Sequence, residues 1–173
     1  ELDIRYWFNN NRNLCTYFDP IVLDETTTIH AQTFDGRKSV SPIVSTTFRK
    51  VTPWTSTDIR DVKEGVTLNT YEGVWDELPN FSTLTPTSVS RVDELIEAPE
   101  QEHVARVFEG YVRVDENAMY EFALSSDDGS RLLIDQNVVV DNDGLHGTQE
   151  KRGSAPLAKG LHYFRLEWFN KEG

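Results

Sequence analysis

The sequence predicts an all-β chain, built as a sandwich or a jelly-roll barrel. Three observations carry that prediction. Apolar residues recur at every second position, as in Tyr120, Phe122 and Leu124 against Glu121 and Ala123, the period of a strand with two distinct faces. Turn chemistry punctuates the chain at short intervals, at Asn9-Asn10-Asn11, Asp35-Gly36, Asp127-Asp128-Gly129, Asp135-Gln136-Asn137 and Asp143-Gly144. No stretch longer than about two turns holds a helical period.

The elements follow in order. Ile4-Arg5-Tyr6-Trp7-Phe8 is a strand that ends in the asparagine cluster, and Thr26 to Phe34 is a second one closed by Asp35-Gly36, a hairpin signal. Val40 to Phe48 returns, with Pro42 marking an edge position. These few strands do not close a sandwich, so residues 1–50 form a partial unit, incomplete or docked on a neighbour. Residues 51–64 are polar, contain Pro53 and show no sustained period, as in a linker, with Trp54 as a wedge between units. A second β unit opens at Gly65. Val66–Tyr71 and Thr87–Arg91 are strands, Gly73–Phe81 is a loop with a short helical turn, and residues 93–101 are an acidic loop. Val104–Val114 is apolar on both faces, as a central strand is. A hairpin of Leu132-Leu133-Ile134 and Val138-Val139-Val140 follows the strand at Tyr120. Ala155-Pro156-Leu157, the Lys159-Gly160 turn and a strand from Leu161 to Phe169 complete the unit.

Composition bounds the partners. The 173 residues suffice for one large domain or one domain and part of another, and 38% hydrophobic with 11% aromatic residues builds a core and excludes disorder. With 29 acidic against 17 basic residues the net charge is −12, and the Lys and Arg residues do not cluster. Nucleic acid is excluded as a partner, an anionic membrane surface is disfavoured, and a neutral sugar or a cation fits. Cys15 is the only cysteine, so no intrachain disulfide forms. An extracellular home stays open, since bacterial surface domains often lack disulfides. No run approaches the ~18 apolar residues of a span, so membrane insertion is not expected. The chain shows no signal peptide, begins in a strand-like pattern at Glu1 and has Met119 as its one methionine, as expected of a processed or excised piece.

Two acidic bends bracket the 132–140 hairpin. Asp127-Asp128-Gly129 opens it and Asp141-Asn142-Asp143-Gly144 closes it. Massed carboxylates and amides at the open end of a hairpin offer hard oxygen ligands to a cation, or acceptors to sugar hydroxyls. The plainer reading is a pair of tight turns in which the carboxylates accept backbone N–H bonds. His146 lies in the loop beside the bends, and Trp75 with Tyr71 flanks Glu72 as a platform for a sugar ring, though core packing is the commoner fate of a tryptophan. His30, His103, His146 and His162 show no zinc spacing. No nucleophile elbow, HExxH or phosphate loop occurs, and so many carboxylates make no chosen pair informative, so catalysis by this piece is not expected.

Two resemblances extend this reading. Residues Asp3-Ile4-Arg5-Tyr6, Asp19-Pro20-Ile21 and 28–39 resemble the β-sandwich that follows the catalytic domain in chitobiase and β-hexosaminidase-type glycosidases, with Trp7 to Asn13 replacing that family's turn and the opening strands expected before Glu1. From Gly65 onward the chain resembles a PA14 domain, a β-barrel module of glycosidases, adhesins and proteases. Phe108-Glu109-Gly110-Tyr111-Val112, Tyr120-Glu121-Phe122, residues 125–132, Val139-Val140-Asp141-Asn142 and residues 159–164 carry that likeness, which implies one or two further strands after Trp168-Phe169. The sugar-binding members join two such aspartates by a cis peptide and hold calcium, which ligates sugar hydroxyls. The resemblance thus implies calcium at Asp127 and Asp128, with Asn142 or Asp143 from the later loop, and a glycan-binding site that includes these four with His146 and Trp75. The function it implies is a non-catalytic carbohydrate-binding module of a larger secreted glycoside hydrolase, like a β-N-acetylhexosaminidase, outside the cell, on its surface or in the periplasm. The alternative is a structural spacer that packs on the catalytic domain of the parent chain.

Overall fold

The structure, a computed structural model, describes residues 2–95 and 101–172. Of the expected acidic loop at 93–101, residues 96–100 lie outside the described residues. The chain divides into two compact units, residues 1–52 and 53–173.

The first unit is one five-stranded antiparallel sheet. Its strands are β1 (Leu2–Phe8), β2 (Asn11–Thr16), β3 (Thr27–Asp35), β4 (Lys38–Ser39) and β5 (Val44–Phe48). They run in the order β2-β1-β3-β4, with β5 also on β3. β2 was not expected, because Asn11-Arg12-Asn13 carries no apolar alternation. It forms because the turn at Asn9 (φ 49) folds the chain back and β1 supplies the ladder, pairing Tyr6 with Cys15. Pro42 falls in the gap between β4 and β5, where no ladder donor is needed. On one face the Trp7 and His30 rings stack at 5.2 Å and the Arg5 guanidinium stands 4.6 Å from the Phe34 ring centre.

The second unit is a sandwich. Its strands are β6 (Val66–Glu72), β7 (Ser88–Val92), β8 (Val104–Val114), β9 (Ala118–Ser126), β10 (Ser130–Ile134), β11 (Asn137–Asn142), β12 (Gln149–Leu157) and β13 (Gly160–Asn170). One sheet has the order β11-β10-β13-β8-β6-β7 and the other pairs β12 with β9. Phe108, Val114, Ile134 and Phe164 from the large sheet bury against Ala155, Leu157, Tyr120 and Phe122 from the small one. The stretch expected to be a linker is, from Pro53, part of this unit. Trp54 N–H donates to Pro156 O (2.7 Å), Ala158 N–H donates to Trp54 O (3.0 Å), and the indole packs on the sandwich core. No helix among the described residues is long and apolar enough to cross a membrane.

The outer face of the large sheet has two halves. At one end the 73–84 loop lays Leu78 and Phe81 over Tyr71, Ala105, Val107 and the fully buried Phe169. Beyond it runs a charged ladder. Arg131 pairs with Asp143 (2.9 Å) and Glu167 (3.7 Å), and Arg165 pairs with Glu167 (2.7 Å) and Glu109 (2.7 Å). Tyr163 O–H donates to Glu109. Burial, helped by that bond, pushes the Tyr163 phenol from 10.0 up to about 12. A proton held more tightly in the folded state stabilises below the unfolded value and ceases to as pH rises through the folded one. The stability difference between the wild type and Tyr163→Phe is therefore constant below pH 10.0 and narrows between there and about 12. Because the ring is partly solvated, the expected narrowing is only about 1 kcal/mol. Urea unfolding across that pH range measures it.

Candidate functional site

The two acidic bends meet on one loop. The 10–11 hairpin turns at Asp135 and Gln136, both in the left-handed region (φ 47 and 68), and its open end carries Ser130 opposite Asn142. Asp128 lies just before β10 and is 5% exposed. Its Oδ1 accepts from His146 N–H (3.2 Å) and its Oδ2 from Lys171 N–H (2.9 Å). One carboxylate thus ties the first bend, the loop after β11 and the end of β13 together. No peptide among the described residues is cis, so the Asp127–Asp128 bond is trans and the side chains diverge. That departs from what the resemblance implies, and the physical reason is visible: Asp128 turns inward to two amides, while Asp127 turns out.

Asp127 is exposed and its carboxylate makes no hydrogen bond among the described residues. Its Oδ2 stands 3.9 Å from where a Cβ on Gly147 would sit, so it too faces the 143–147 loop. Its backbone carbonyl accepts from the Trp168 indole (2.9 Å), which fixes the bend. Asn142 is fully buried. Its amide NH2 donates to Ser126 Oγ and Gln149 O, both at 3.1 Å, while its Oδ1 is buried without a partner. An orphaned buried acceptor costs about 1–3 kcal/mol. His146 brings Nε2 to 2.9 Å from Asn142 O.

Asp143 works inside the protein. Its Oδ1 accepts from Leu78 N–H (2.7 Å) and Gly144 N–H (2.8 Å), and its Oδ2 from Arg131 (2.9 Å). It anchors the 73–84 loop to the rim. Trp75 lies half-buried in that loop, packed on the outer-face core with its ring flat against Gly73, where a Cβ would come within 2.5 Å of it. Lys171 Nζ reaches Asp76 (2.9 Å) and closes the same side. The rim therefore gathers Asp127, Asp128, Asn142 and His146 around one loop, with Asp143 as its inner strut. Lys171, Ser126 and Trp168 were not singled out as site residues in the sequence, because their bonds to Asp128, Asn142 and Asp127 reach across 16 to 43 positions and no local pattern announces them.

A hard cation would find one free carboxylate here, that of Asp127, and one unpaired amide oxygen, that of the buried Asn142, because Asp128 gives both of its oxygens to backbone amides. Protein side chains supply only part of such a shell: no group of three or more His, Cys, Asp or Glu that could hold a metal occurs among the described residues.

The family model described as the PA14 domain matches residues 62–173. No curated protein matches the chain. Among solved structures, the PA14 domain of the MpAFP antifreeze protein is similar at TM-score 0.51 and 13% identity, over 68% of this chain and 82% of that one. A β-glucosidase from Kluyveromyces marxianus, in complex with glucose, is similar at TM-score 0.45 and 18% identity, over 60% of this chain and 14% of that one. An anti-sigma factor domain-containing protein from Clostridium clariflavum is similar at TM-score 0.48 and 13% identity, over 99% of this chain and 69% of that one. The first likeness shows the all-β fold.

Proposed function

The chain belongs to the PA14 domain family, and from that premise we propose that its second unit is a non-catalytic carbohydrate-binding module of a larger secreted glycoside hydrolase, working outside the cytoplasm. One observation carries the reading. The rim leaves two oxygen acceptors unpaired, the exposed Asp127 carboxylate and the buried Asn142 Oδ1, beside a loop that Asp128 holds in place. Unpaired acceptors at a rigid rim suit a ligand rich in hydroxyl donors, or a cation that itself binds hydroxyls.

Asp127, Asp128 and Asn142 are the residues that would hold calcium. Bound there, the ion would supply a divalent centre with positions left for sugar hydroxyls. Asp128 fixes the loop, His146 edges the rim, and the net charge of −12 favours a neutral glycan over an anionic one. Calorimetric titration against a glycan panel, with calcium and with chelator, is the test. Binding is expected with calcium only. Asp127→Asn should weaken it about tenfold or more and leave the melting temperature unchanged, because that carboxylate holds nothing inside the protein.

The spacer reading has its own observation. Every carboxylate oxygen of Asp128 and Asp143 already accepts a bond from this chain. Absence of binding to any glycan in both conditions would favour it and end the first. Deleting the module would then alter the stability of the parent enzyme without removing an affinity.

A further inference from the structure

The rim is not the only concave surface of the second unit. On the outer face of the large sheet, past the charged ladder, a cleft of about 580 Å³ opens between the segment at Thr55–Thr57 and the turn at Asp135–Gln136. Its floor follows from register. Tyr163 pairs with Tyr111 across β13 and β8, and Arg165 with Glu109, so all four side chains emerge on one face. The tyrosine rings stand edge to face, 5.8 Å apart, and Tyr111 is 38% exposed.

The walls are fixed to that floor. Thr57 N–H donates to Leu161 O (2.7 Å), Asp135 N–H to Tyr163 O (2.8 Å), and Tyr163 N–H to Asp135 Oδ1 (3.0 Å). Below the turn, the fully buried His162 places one ring nitrogen 2.6 Å from Asp135 Oδ2 and the other 2.7 Å from Ala158 O. A two-residue turn of this kind matches the twist of its strands but asks a left-handed backbone of two residues that are not glycine. Here it is held on three sides, so the cleft exists before any ligand arrives.

The chemistry of the lining selects a ligand class. Arg165 is already neutralised by Glu109 and Glu167, and with Asp135 the cleft leans negative, which turns away phosphates and carboxylates. Within the floor, β13 is flanked on both sides, by β8 and by β10 with its turn, whereas β8 beyond Glu109 pairs with β13 alone. What remains is the Tyr111 hydroxyl, the Gln136 carboxamide and the hydroxyls of Thr55 and Thr57, none of which makes a hydrogen bond among the described residues. An exposed aromatic ring flanked by neutral, planar or hydroxylic groups matches a sugar ring, whose C–H face stacks and whose edge donates and accepts.

We propose that this cleft is a second saccharide-binding site, in which Tyr111 stacks under a neutral sugar ring and Gln136 with Thr57 bonds its hydroxyls. It is separate from the rim: Tyr163 and Trp168 stand on one strand at about 3.3 Å per residue, so the two sites lie roughly 17 Å apart along it. That spacing suits two contacts with one linear chain. The cleft uses no cation and does not depend on the rim.

The test is amide NMR of the whole chain titrated with cellotetraose, chitotetraose and maltotetraose, with chelator present. At least one probe is expected to shift the amides of Tyr111, Gln136 and Tyr163, and Tyr111→Ala should weaken that binding about tenfold. Gln136→Gly removes the carboxamide and keeps the left-handed turn, so it gives a second reading if Tyr111→Ala perturbs the fold. Asp127→Asn should leave this binding untouched. Shifts confined to residues 127–129 and 142–147, no shifts with any probe, or full affinity in both cleft variants would each overturn the proposal. Loss of rim binding alone would not touch it.

Discussion

Asp128→Ala is expected to lower the stability of the second unit by about 2–5 kcal/mol, while Asp127→Ala changes it by no more than about 0.5 kcal/mol. The two residues are neighbours of the same type, so the contrast isolates environment. Asp128 is 5% exposed and accepts from the amides of His146 and Lys171. Truncation leaves two backbone donors without a partner at a place water reaches poorly, at about 1–3 kcal/mol each. It also frees the 143–147 loop, so the His146 and Lys171 amides should exchange with solvent much faster in the variant. Asp128→Asn keeps one acceptor and should fall between. Chemical unfolding with hydrogen exchange measures all three. Equal losses for the two alanine variants would mean that the carboxylate is not the clamp described above.

Gly153→Ala is expected to abolish stable folding of the second unit, at a cost above about 4 kcal/mol. Gly153 sits in β12, paired with Phe122 of β9. On its other side β11 bulges: the register skips Val139 between the Leu132–Val140 and Leu133–Val138 pairs. The Val139 carbonyl turns toward Gly153, and a Cβ there would lie 1.8 Å from that oxygen and 2.7 Å from the carbonyl carbon. The obstacle is backbone, so no rotamer change relieves it; the strands must part. Gly147→Ala is the control. It adds the same methyl 3.9 Å from Asp127 Oδ2, an ordinary contact, and should be tolerated. Circular dichroism and yield of soluble protein distinguish them, and a well-folded Gly153→Ala variant would refute the close approach.

The strands that were legible are those whose own residues alternate. β8 and β13 pair over eleven positions from Val104 to Val114, and both show the pattern in sequence. The hairpin of β10 and β11 was legible from its β-branched arms and its Asp135-Gln136 turn. β2 and the first half of β12 were not. Gln149-Glu150-Lys151-Arg152 is charged throughout, and it forms a strand because β9 offers a ladder and because Arg152 bridges Glu121 (2.7 Å). Residues 53–57 read as a linker because they carry no apolar period; the Trp54 indole on the core and the backbone bonds to Pro156 and Leu161 attach them to the sandwich.

By itself the sequence determined an all-β chain, its PA14 segment and the two acidic bends, because each is written in neighbouring residues as a period, a turn or a motif. Only the tertiary structure decided that Asp128 is a clamp and Asp127 is free, that Asp143 is a strut, and that Tyr111 and Gln136 border one cleft. The reason is distance along the chain: Asp128 finds Lys171 43 positions away, and Asp143 finds Leu78 65 positions away. A side chain's type fixes what it can bond. Which partner it meets is settled only when the sheet brings remote strands into register.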